Sequence, residues 1–236
     1  MVPPKRLARL AGFLYLINAI TSGFAFAYVI GKVYVPGDAA ATTANVVANP
    51  GLVRLGVVVD LFQGTEWIFL AVTLYLLLNK VHVSAARAMV VLVAVGSAIV
   101  CLNDVFQFES VRVATGGSYA AALGAAGSSA VVLLLLEMHH YGFLVAQIFF
   151  GLWLMPFGFL AYRSQMFPRI LGVGLIAGGI FYIVGLLAVF LLPDSGEKVN
   201  TLITIPSAIA EIAMLGYLLT IGVRTPNPKA RALAAA

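Results

Sequence analysis

Long apolar runs divide the chain into segments of the length that a membrane-spanning helix needs. A helix crosses the roughly 30 Å hydrocarbon layer with about 20 mostly apolar residues. The runs fall at about 9–31, 53–79, 88–109, 139–163, 169–192 and 201–223. This pattern predicts an all-α, polytopic membrane helix bundle of six transmembrane helices. No long polar linker interrupts it, so we expect residues 1–236 to form a single integral membrane domain.

Segment 113–137 is harder to place than the rest of the chain. Its first half is rich in Gly, Ala and Ser, and its second half is the apolar run Val131–Leu136 followed by Glu137. Three placements stay open: a short surface helix, a re-entrant segment, or an extension of the next span. We favour a surface or partly inserted helix, because a full extra span would move Arg163 and Arg169 to the outer side.

The first outer loop carries a helix start signal. Asp38 follows Pro36-Gly37 and precedes the small, mostly apolar residues 39–48, before Pro50. Aspartate is a preferred N-cap residue, since its side chain accepts a bond from a free backbone N–H. We therefore expect a short outer-surface helix over Ala39–Ala48.

The basic residues predict the orientation. Cytoplasmic loops of membrane proteins carry an excess of Lys and Arg. With both termini inside, the cytoplasmic segments hold Lys5, Arg6, Arg9, Lys80, Arg87, Arg163, Arg169, Arg224, Lys229 and Arg231. The outer side holds Lys32, Arg54, Arg112 and Lys198, and no acidic residue falls in a cytoplasmic segment. The prediction is a multi-pass plasma-membrane protein with both termini cytoplasmic.

The composition agrees with a lipid environment. Hydrophobic residues make up 62% of the chain and charged residues 10%, whereas soluble domains carry about 25% charged residues. The basic residues flank apolar runs instead of forming a stripe with aromatics, so we expect no nucleic-acid partner. The lone Cys101 excludes an intramolecular disulfide. Ala25-Phe26-Ala27 mimics a signal cleavage site, but the apolar run continues to Val35, and we expect no cleavage.

Polar and ionisable residues inside the spans are the candidates for function. Such groups cost several kcal/mol in the bilayer unless they are paired or hydrated. Most of them fall in the predicted outer half, and we expect them to line an outward-facing polar pocket. The candidate binding residues are Asp60, Glu66, Asn103, Asp104, His140, Gln147 and Glu211.

The helical repeat indicates which of these candidates point in the same direction, but only for some pairs. Asp60 and Glu66 point about 120° apart, and His139 and His140 about 100° apart. We prefer His140 to His139 for the pocket, because His140 shares a helix face with Gln147. The alternative is structural: amides often bond between helices, and buried carboxyls can be protonated and hydrogen-bonded.

A divalent metal is the cofactor that these residues could hold. Carboxylates and an imidazole suit zinc, manganese or iron, and the weak candidates are His139, His140, Asp60 and Glu211. Glu137 and His140 have the Glu-x-x-His spacing of di-iron bundles, but a second copy is missing. The sequence has no Gly-x-Ser-x-Gly, P-loop or dinucleotide-binding motif, so no other cofactor is specified.

Several motifs resemble one bacterial multi-pass membrane family, catalogued as domain of unknown function 4386. They are the stretch from Tyr141 to Ser164, Phe167–Gly172, Ala8–Tyr15, Val35–Ala39, and Arg54-Leu-Gly56 leading to Asp60. The resemblance covers nearly the whole chain and implies an integral membrane protein without an assigned activity. It also implies a histidine before the Tyr-Gly-Phe run, at His140 or His139, and an acidic residue in the last span, matched by Glu211.

These observations leave four functional hypotheses. The leading one is a polar intramembrane pocket for a small or amphiphilic ligand, centred on Asp60, Glu66, His140 and Glu211. The second is a metal-dependent enzyme acting on a lipid-like substrate. A transporter and a non-catalytic membrane partner are the others. Whether the protein is an enzyme, and its oligomeric state, stay open.

Overall fold

The computed structural model describes residues 3–224, and helices account for nearly all of them. Lys229 and Arg231, which we assign to the cytoplasmic side, lie outside this range. The helices are α1 Pro4–Ser22, α2 Ala39–Ala48, α3 Pro50–Leu78, α4 Val83–Thr115, α5 Gly117–Ser164, α6 Arg169–Leu191, α7 Gly196–Ile203 and α8 Ile205–Thr220. A π-helical segment, Gly23–Ile30, and the turn Gly31–Val33 extend α1.

Six helices within this part of the chain are long and apolar enough to cross a membrane, as the hydrophobic pattern predicts. They are Pro4–Val33, Pro50–Leu78, Val83–Thr115, Gly117–Ser164, Arg169–Leu191 and Gly196–Thr220. The prediction of an all-α polytopic bundle is therefore confirmed. Several helices exceed the predicted spans, because their polar ends continue the helical hydrogen bonding beyond the apolar core of each segment.

The short loop helix α2 is also present. It runs from Ala39 to Ala48, and the Asp38 carboxylate accepts a hydrogen bond from the Ala41 N–H at 2.9 Å. Asn49 ends the helix and Pro50 begins α3. The aspartate cap predicted from sequence therefore sets the start of this element.

Segment 113–137 differs from the placement that we favour from sequence. Gly124, with φ 72°, interrupts α5, and the helix then continues through residues 125–164. Residues 125–137 are thus an extension of the next span, and the separate surface helix is wrong for them. The physical reason is packing: Val132 and Leu136 are buried in an apolar cluster with Val111 and Val113 of α4.

The chain forms two compact units. The central unit contains Ile17–Trp67 and Val95–Ala146, and the terminal unit contains the described parts of Met1–Leu16, Ile68–Ala94 and Gln147–Ala236. Our prediction of one domain over residues 1–236 stays a prediction. The two units are described separately below, because each holds its own group of buried polar side chains.

Glycines bring the helices of the terminal unit close together. A Cβ atom on Gly151 would lie 2.5 Å from the Gly179 carbonyl oxygen, and one on Gly158 would lie 2.5 Å from the Gly172 carbonyl oxygen. Small residues allow such close backbone approach between membrane helices. Gly178 lies against Ser207 of α8, whose Oγ donates to the Gly178 carbonyl at 2.8 Å.

An apolar cap closes one end of the central unit. Its buried members come from the extension of α1 and from α2 to α5: Ile30, Val33, Val46, Val53, Val111, Val113, Val132 and Leu136. Val53 and Val111 lie seven residues from Asp60 and Asp104, and Leu136 lies one helical turn from His139. The cap therefore adjoins three of the candidate polar residues along their own helices.

Candidate functional site

Three ionisable side chains meet inside the central unit. Asp60 on α3, Asp104 on α4 and His139 on α5 are 3%, 2% and 1% exposed. A carboxylate oxygen of each aspartate and a ring nitrogen of the histidine all lie within 4.8 Å of one another. His139 Nε2 is 3.8 Å from Asp104 Oδ1. We call this group the Asp–Asp–His cluster.

Two amide side chains fix the helices that carry the cluster. Asn103 Nδ2 donates to the His139 carbonyl at 2.7 Å, and Gln107 Nε2 donates to the Val53 carbonyl at 3.2 Å. The first bond joins α4 to α5, and the second joins α4 to α3. Both amides thus make the interhelical bonds expected from the structural interpretation, and they hold the cluster residues at a defined separation.

The cluster is rich in buried polar atoms without partners. Asp60 Oδ1, both carboxylate oxygens of Asp104, both ring nitrogens of His139 and Asn103 Oδ1 make no hydrogen bond to the protein. Buried polar atoms are hydrogen-bonded in the large majority of cases, and each exception needs a physical reason. Six of the unpartnered buried atoms in the described range lie at this cluster, so several electron-pair donors are available to one bound group.

The geometry fits a small cation. Three atoms within 4.8 Å of one another all lie within about 2.8 Å of a common point, and zinc bonds to imidazole nitrogen or carboxylate oxygen are about 2.0–2.2 Å long. A contraction of well under 1 Å would bring all three donors to bonding distance. Two ionised aspartates would also balance the charge of a divalent ion. Asp60, Asp104 and His139 could therefore hold one metal ion.

The structure brings His139, not His140, to this cluster. The His140 ring instead packs near Tyr34 and Tyr141, with centroid distances of 5.7 and 5.3 Å. Our preference for His140 is corrected for this group of residues. It relied on a shared face with Gln147, but Gln147 belongs to the terminal unit and donates to the Tyr182 carbonyl and to Asn200 Oδ1, each at 2.8 Å.

Glu66 lies apart from the cluster along α3. It follows Asp60 by six residues, is 5% exposed, and has no hydrogen-bond partner at either carboxyl oxygen. The polar side chain beside it is Asn18 of α1, whose Nδ2 also makes no hydrogen bond. A second group of unpartnered polar atoms is thus present in the central unit.

Glu211 has the opposite environment. The hydroxyls of Tyr15 and Tyr182 donate to its two carboxyl oxygens, the second at 2.9 Å. These bonds connect α8 to α1 and α6 within the terminal unit. A carboxyl group whose two oxygens both accept bonds is well suited to joining helices, so the structural interpretation fits Glu211 better than it fits Asp60 or Glu66.

The two units also differ in how many of their buried polar atoms lack hydrogen-bond partners, within the described range. Every such side-chain nitrogen or oxygen that lacks a hydrogen-bond partner belongs to the central unit. The predicted pocket residues divide accordingly: Asp60, Glu66, Asn103, Asp104 and His140 belong to the central unit, and Gln147 and Glu211 to the terminal unit. A single pocket that includes all of them stays a prediction.

Sequence reasoning missed four residues of these sites. Tyr15 and Tyr182 bond Glu211, Asn200 bonds Gln147, and Asn18 lies beside Glu66. Tyrosines in an apolar span are commonly interpreted as lipid-facing or core residues. One signal could have found the tyrosines. A carboxyl in a span needs hydrogen-bond donors, and tyrosine hydroxyls in other spans can supply them.

The helices and their buried polar residues define a class, that of polytopic α-helical membrane proteins with ionisable groups buried between their helices. Within that class, the chain belongs to the family described as domain of unknown function (DUF4386), whose profile matches residues 10–222. The resemblance noted from the sequence motifs is thereby confirmed. The comparisons with curated proteins and with solved structures found no match.

Proposed function

We propose that this protein binds a divalent metal ion inside the membrane through Asp60, Asp104 and His139. The observation that carries the proposal is the set of unpartnered atoms: Asp60 Oδ1, both oxygens of Asp104 and both ring nitrogens of His139. A metal ion accepts electron pairs from just these atom types. Zinc is the leading candidate, because it accepts mixed nitrogen and oxygen ligands in tetrahedral sites.

A purely structural role for the cluster is less satisfactory. Two carboxylates at this distance disfavour each other's charged form, and burial adds a desolvation cost. The fold satisfies another carboxyl in a span, since two tyrosine hydroxyls donate to Glu211. Within residues 3–224, no tyrosine hydroxyl or other donor bonds Asp60 Oδ1 or either carboxyl oxygen of Asp104. A cation would offset both costs at once, which favours the metal over structural pairing.

The depth of the cluster suggests the kind of ligand. With a rise of 1.5 Å per residue, Asp60 lies about 27 Å from the end of α3 at Leu78, and Asp104 about 32 Å from the start of α4 at Val83. The hydrocarbon layer is about 30 Å thick. Both helices are longer than this layer, and both residues lie in the halves of their helices toward Pro50 and Thr115. The polar head of an amphiphilic molecule would reach the cluster from that side.

The proposed chemistry follows from three protein ligands. A tetrahedral zinc ion with three protein ligands keeps one position for water or substrate. Such an ion polarises a carbonyl or phosphoryl oxygen and lowers the pKa of bound water. The site would then bind an amphiphilic ligand by its polar head, and hydrolysis of a lipid-like molecule is the reaction class that this arrangement serves.

Metal analysis of the purified full-length protein tests the proposal. We expect about one zinc ion per chain by mass spectrometry. Saturating zinc should also stabilise the folded protein in detergent by about 2.7 kcal/mol at a hundredfold excess over the dissociation constant, and a strong chelator should remove this effect. If the purified protein held no metal, and neither zinc nor chelator changed its melting temperature, the metal proposal would be wrong. The two aspartates would then be a pair of carboxyls that shares a proton.

The orientation is a second testable proposal. The bias of basic residues supports cytoplasmic termini in a bacterial plasma membrane, which would place the cluster in the outer half of the membrane. Reporter fusions after Arg224 should be active when the reporter works in the cytoplasm and inactive when it needs export. A fusion in the loop after Val35 should give the reverse. Equal activity of an exported reporter at both positions would contradict this orientation.

A further inference from the structure

We infer that Glu66 is a second functional site, which binds and releases a proton inside the membrane independently of the metal. The observation is geometric. Glu66 is 5% exposed, and neither of its carboxyl oxygens accepts a hydrogen bond from the protein. Its polar neighbour is the amide of Asn18 on α1.

The neutral form of Glu66 suits this surrounding. An ionised carboxylate in a low-dielectric interior needs a cation or several hydrogen-bond donors, and its burial without them is costly. A protonated carboxyl is both donor and acceptor, as is the side-chain amide of asparagine. The Asn18 amide can therefore complement the acid form of Glu66, while leaving it free to lose the proton when a base or water reaches it.

Glu66 is distinct from the Asp–Asp–His cluster. It lies six residues after Asp60, which corresponds to about 9 Å along the helix axis and a rotation of about 120°. Its carboxyl is also not among the residues whose donor atoms converge on a common point. A metal ion at the cluster would therefore leave this site unchanged.

Glu211 provides an internal comparison within the same chain. It is also a glutamate in a membrane span, but hydroxyls of Tyr15 and Tyr182 donate to its two oxygens. The Glu211 side chain is partly exposed, whereas Glu66 is buried, so faster labelling of Glu66 would not come from easier access of the reagent. A difference in reactivity between them thus reports the hydrogen-bond environment of each carboxyl, which is what the inference concerns.

The test uses dicyclohexylcarbodiimide on the full-length protein in lipid nanodiscs. This apolar reagent reacts with protonated carboxyls in membranes. The O–H group adds across one C=N bond, so the carboxyl oxygen bonds to carbon and the proton moves to nitrogen. The acyl group then migrates from oxygen to nitrogen, and nothing leaves. Each labelled glutamate gains the mass of one reagent molecule, which peptide mass spectrometry locates.

We expect Glu66 to be labelled at least about tenfold faster than Glu211, since two hydrogen bonds to Glu211 must be lost before it reacts. Labelling of Glu66 should decrease as the pH rises, because the ionised form does not react. Saturating zinc should leave Glu66 labelling unchanged but suppress any labelling at Asp60 and Asp104. Glu66 labelling thus stands or fails separately from metal binding.

Two variants complete the design. Glu66→Gln should lose the adduct on this peptide, and a matched loss of the protonated-carboxyl stretch in its infrared spectrum would support the inference without any reagent. The double variant Tyr15→Phe with Tyr182→Phe should raise Glu211 labelling toward the level of Glu66. The inference would be overturned if Glu66 were labelled no faster than Glu211 in the unmodified protein. An infrared spectrum that Glu66→Gln leaves unchanged would also overturn the inference.

Discussion

Replacement of His139 by alanine is expected to lower the zinc affinity of the protein by at least about 100-fold, since even groups that only support metal ligands are worth 10- to 100-fold. His139 supplies the single nitrogen donor of the cluster. Without it, two aspartate oxygens remain, and zinc prefers sites with nitrogen or sulfur ligands. Titration with zinc in detergent, followed by isothermal calorimetry or a competing chelator, measures the change.

The neighbouring histidine is the matched control for this experiment. His140→Ala removes an imidazole from the next position of the same helix, where the ring packs near Tyr34 and Tyr141. Its zinc affinity should stay within a few-fold of the unmodified protein. If His139→Ala bound zinc as tightly as His140→Ala, the assignment of the ligands would be wrong.

The aspartates separate a functional from a structural role for the cluster. Asp60→Asn should lose most of the zinc affinity, because a neutral amide is a poorer ligand than a carboxylate. The same change removes an unpartnered buried acid, so the metal-free protein should melt no lower than the unmodified one. A variant that loses both zinc affinity and stability in the absence of metal would instead indicate that Asp60 holds the helices together.

Gly142→Ala is expected to be the most destabilising small substitution in the central unit. A Cβ atom at this position would lie 1.9 Å from Asn103 Oδ1, well inside any possible contact distance. Asn103 would have to move and would lose its bond to the His139 carbonyl, 2.7 Å long. Overpacking costs about 1–3 kcal/mol and a lost hydrogen bond about 1 kcal/mol, so the expected loss is about 2–4 kcal/mol.

Thermal unfolding in detergent measures this effect, and a second glycine supplies the control. No atom lies within 4 Å of a Cβ atom built on Gly216 in α8, so Gly216→Ala should be neutral or stabilise the protein by up to about 1 kcal/mol. Combining Gly142→Ala with Asn103→Ala removes the clash and should recover part of the lost stability. A Gly142→Ala protein as stable as Gly216→Ala would refute the close contact.

The spans were predictable because hydrophobic length is a property of each segment alone. The apolar runs from 53 to 79 and from 169 to 192 need no partner to be recognised, and the structure has helices at Pro50–Leu78 and Arg169–Leu191. The Asp38 cap was predictable for the same reason, since the helix start that it stabilises lies three residues away. Information that is local in sequence was sufficient for these elements.

The site was predictable only by residue type. Sequence reasoning selected Asp60 and Asp104 because charged groups in lipid are costly, but it preferred His140 for the pocket, whereas the structure places His139 beside the two aspartates. The direction of a side chain depends on the rotation of α5 about its axis, and the contact of Gly142 with Asn103 helps to set that rotation. A pattern within a single helix carries no information about a side chain of another helix.

The extension of α5 was one of three placements left open from sequence, and it was not the favoured one for a related reason. Glycine, alanine and serine in residues 115–129 suggest a surface segment when they are considered alone. Within this extension, Val132 and Leu136 are buried against Val111 and Val113, at the end of α4. Their role becomes visible only when the two helix ends are placed side by side.

The apolar cap has a consequence for how quickly the proposed metal site exchanges its ion. Three buried residues lie between the cluster and one end of the central unit: Val53, Val111 and Leu136. A hydrated ion that approached from this end would have to shed its water before it met a carboxylate. Loading would then be easiest while the helices assemble, and afterwards the ion would be retained by a kinetic barrier as well as by its affinity.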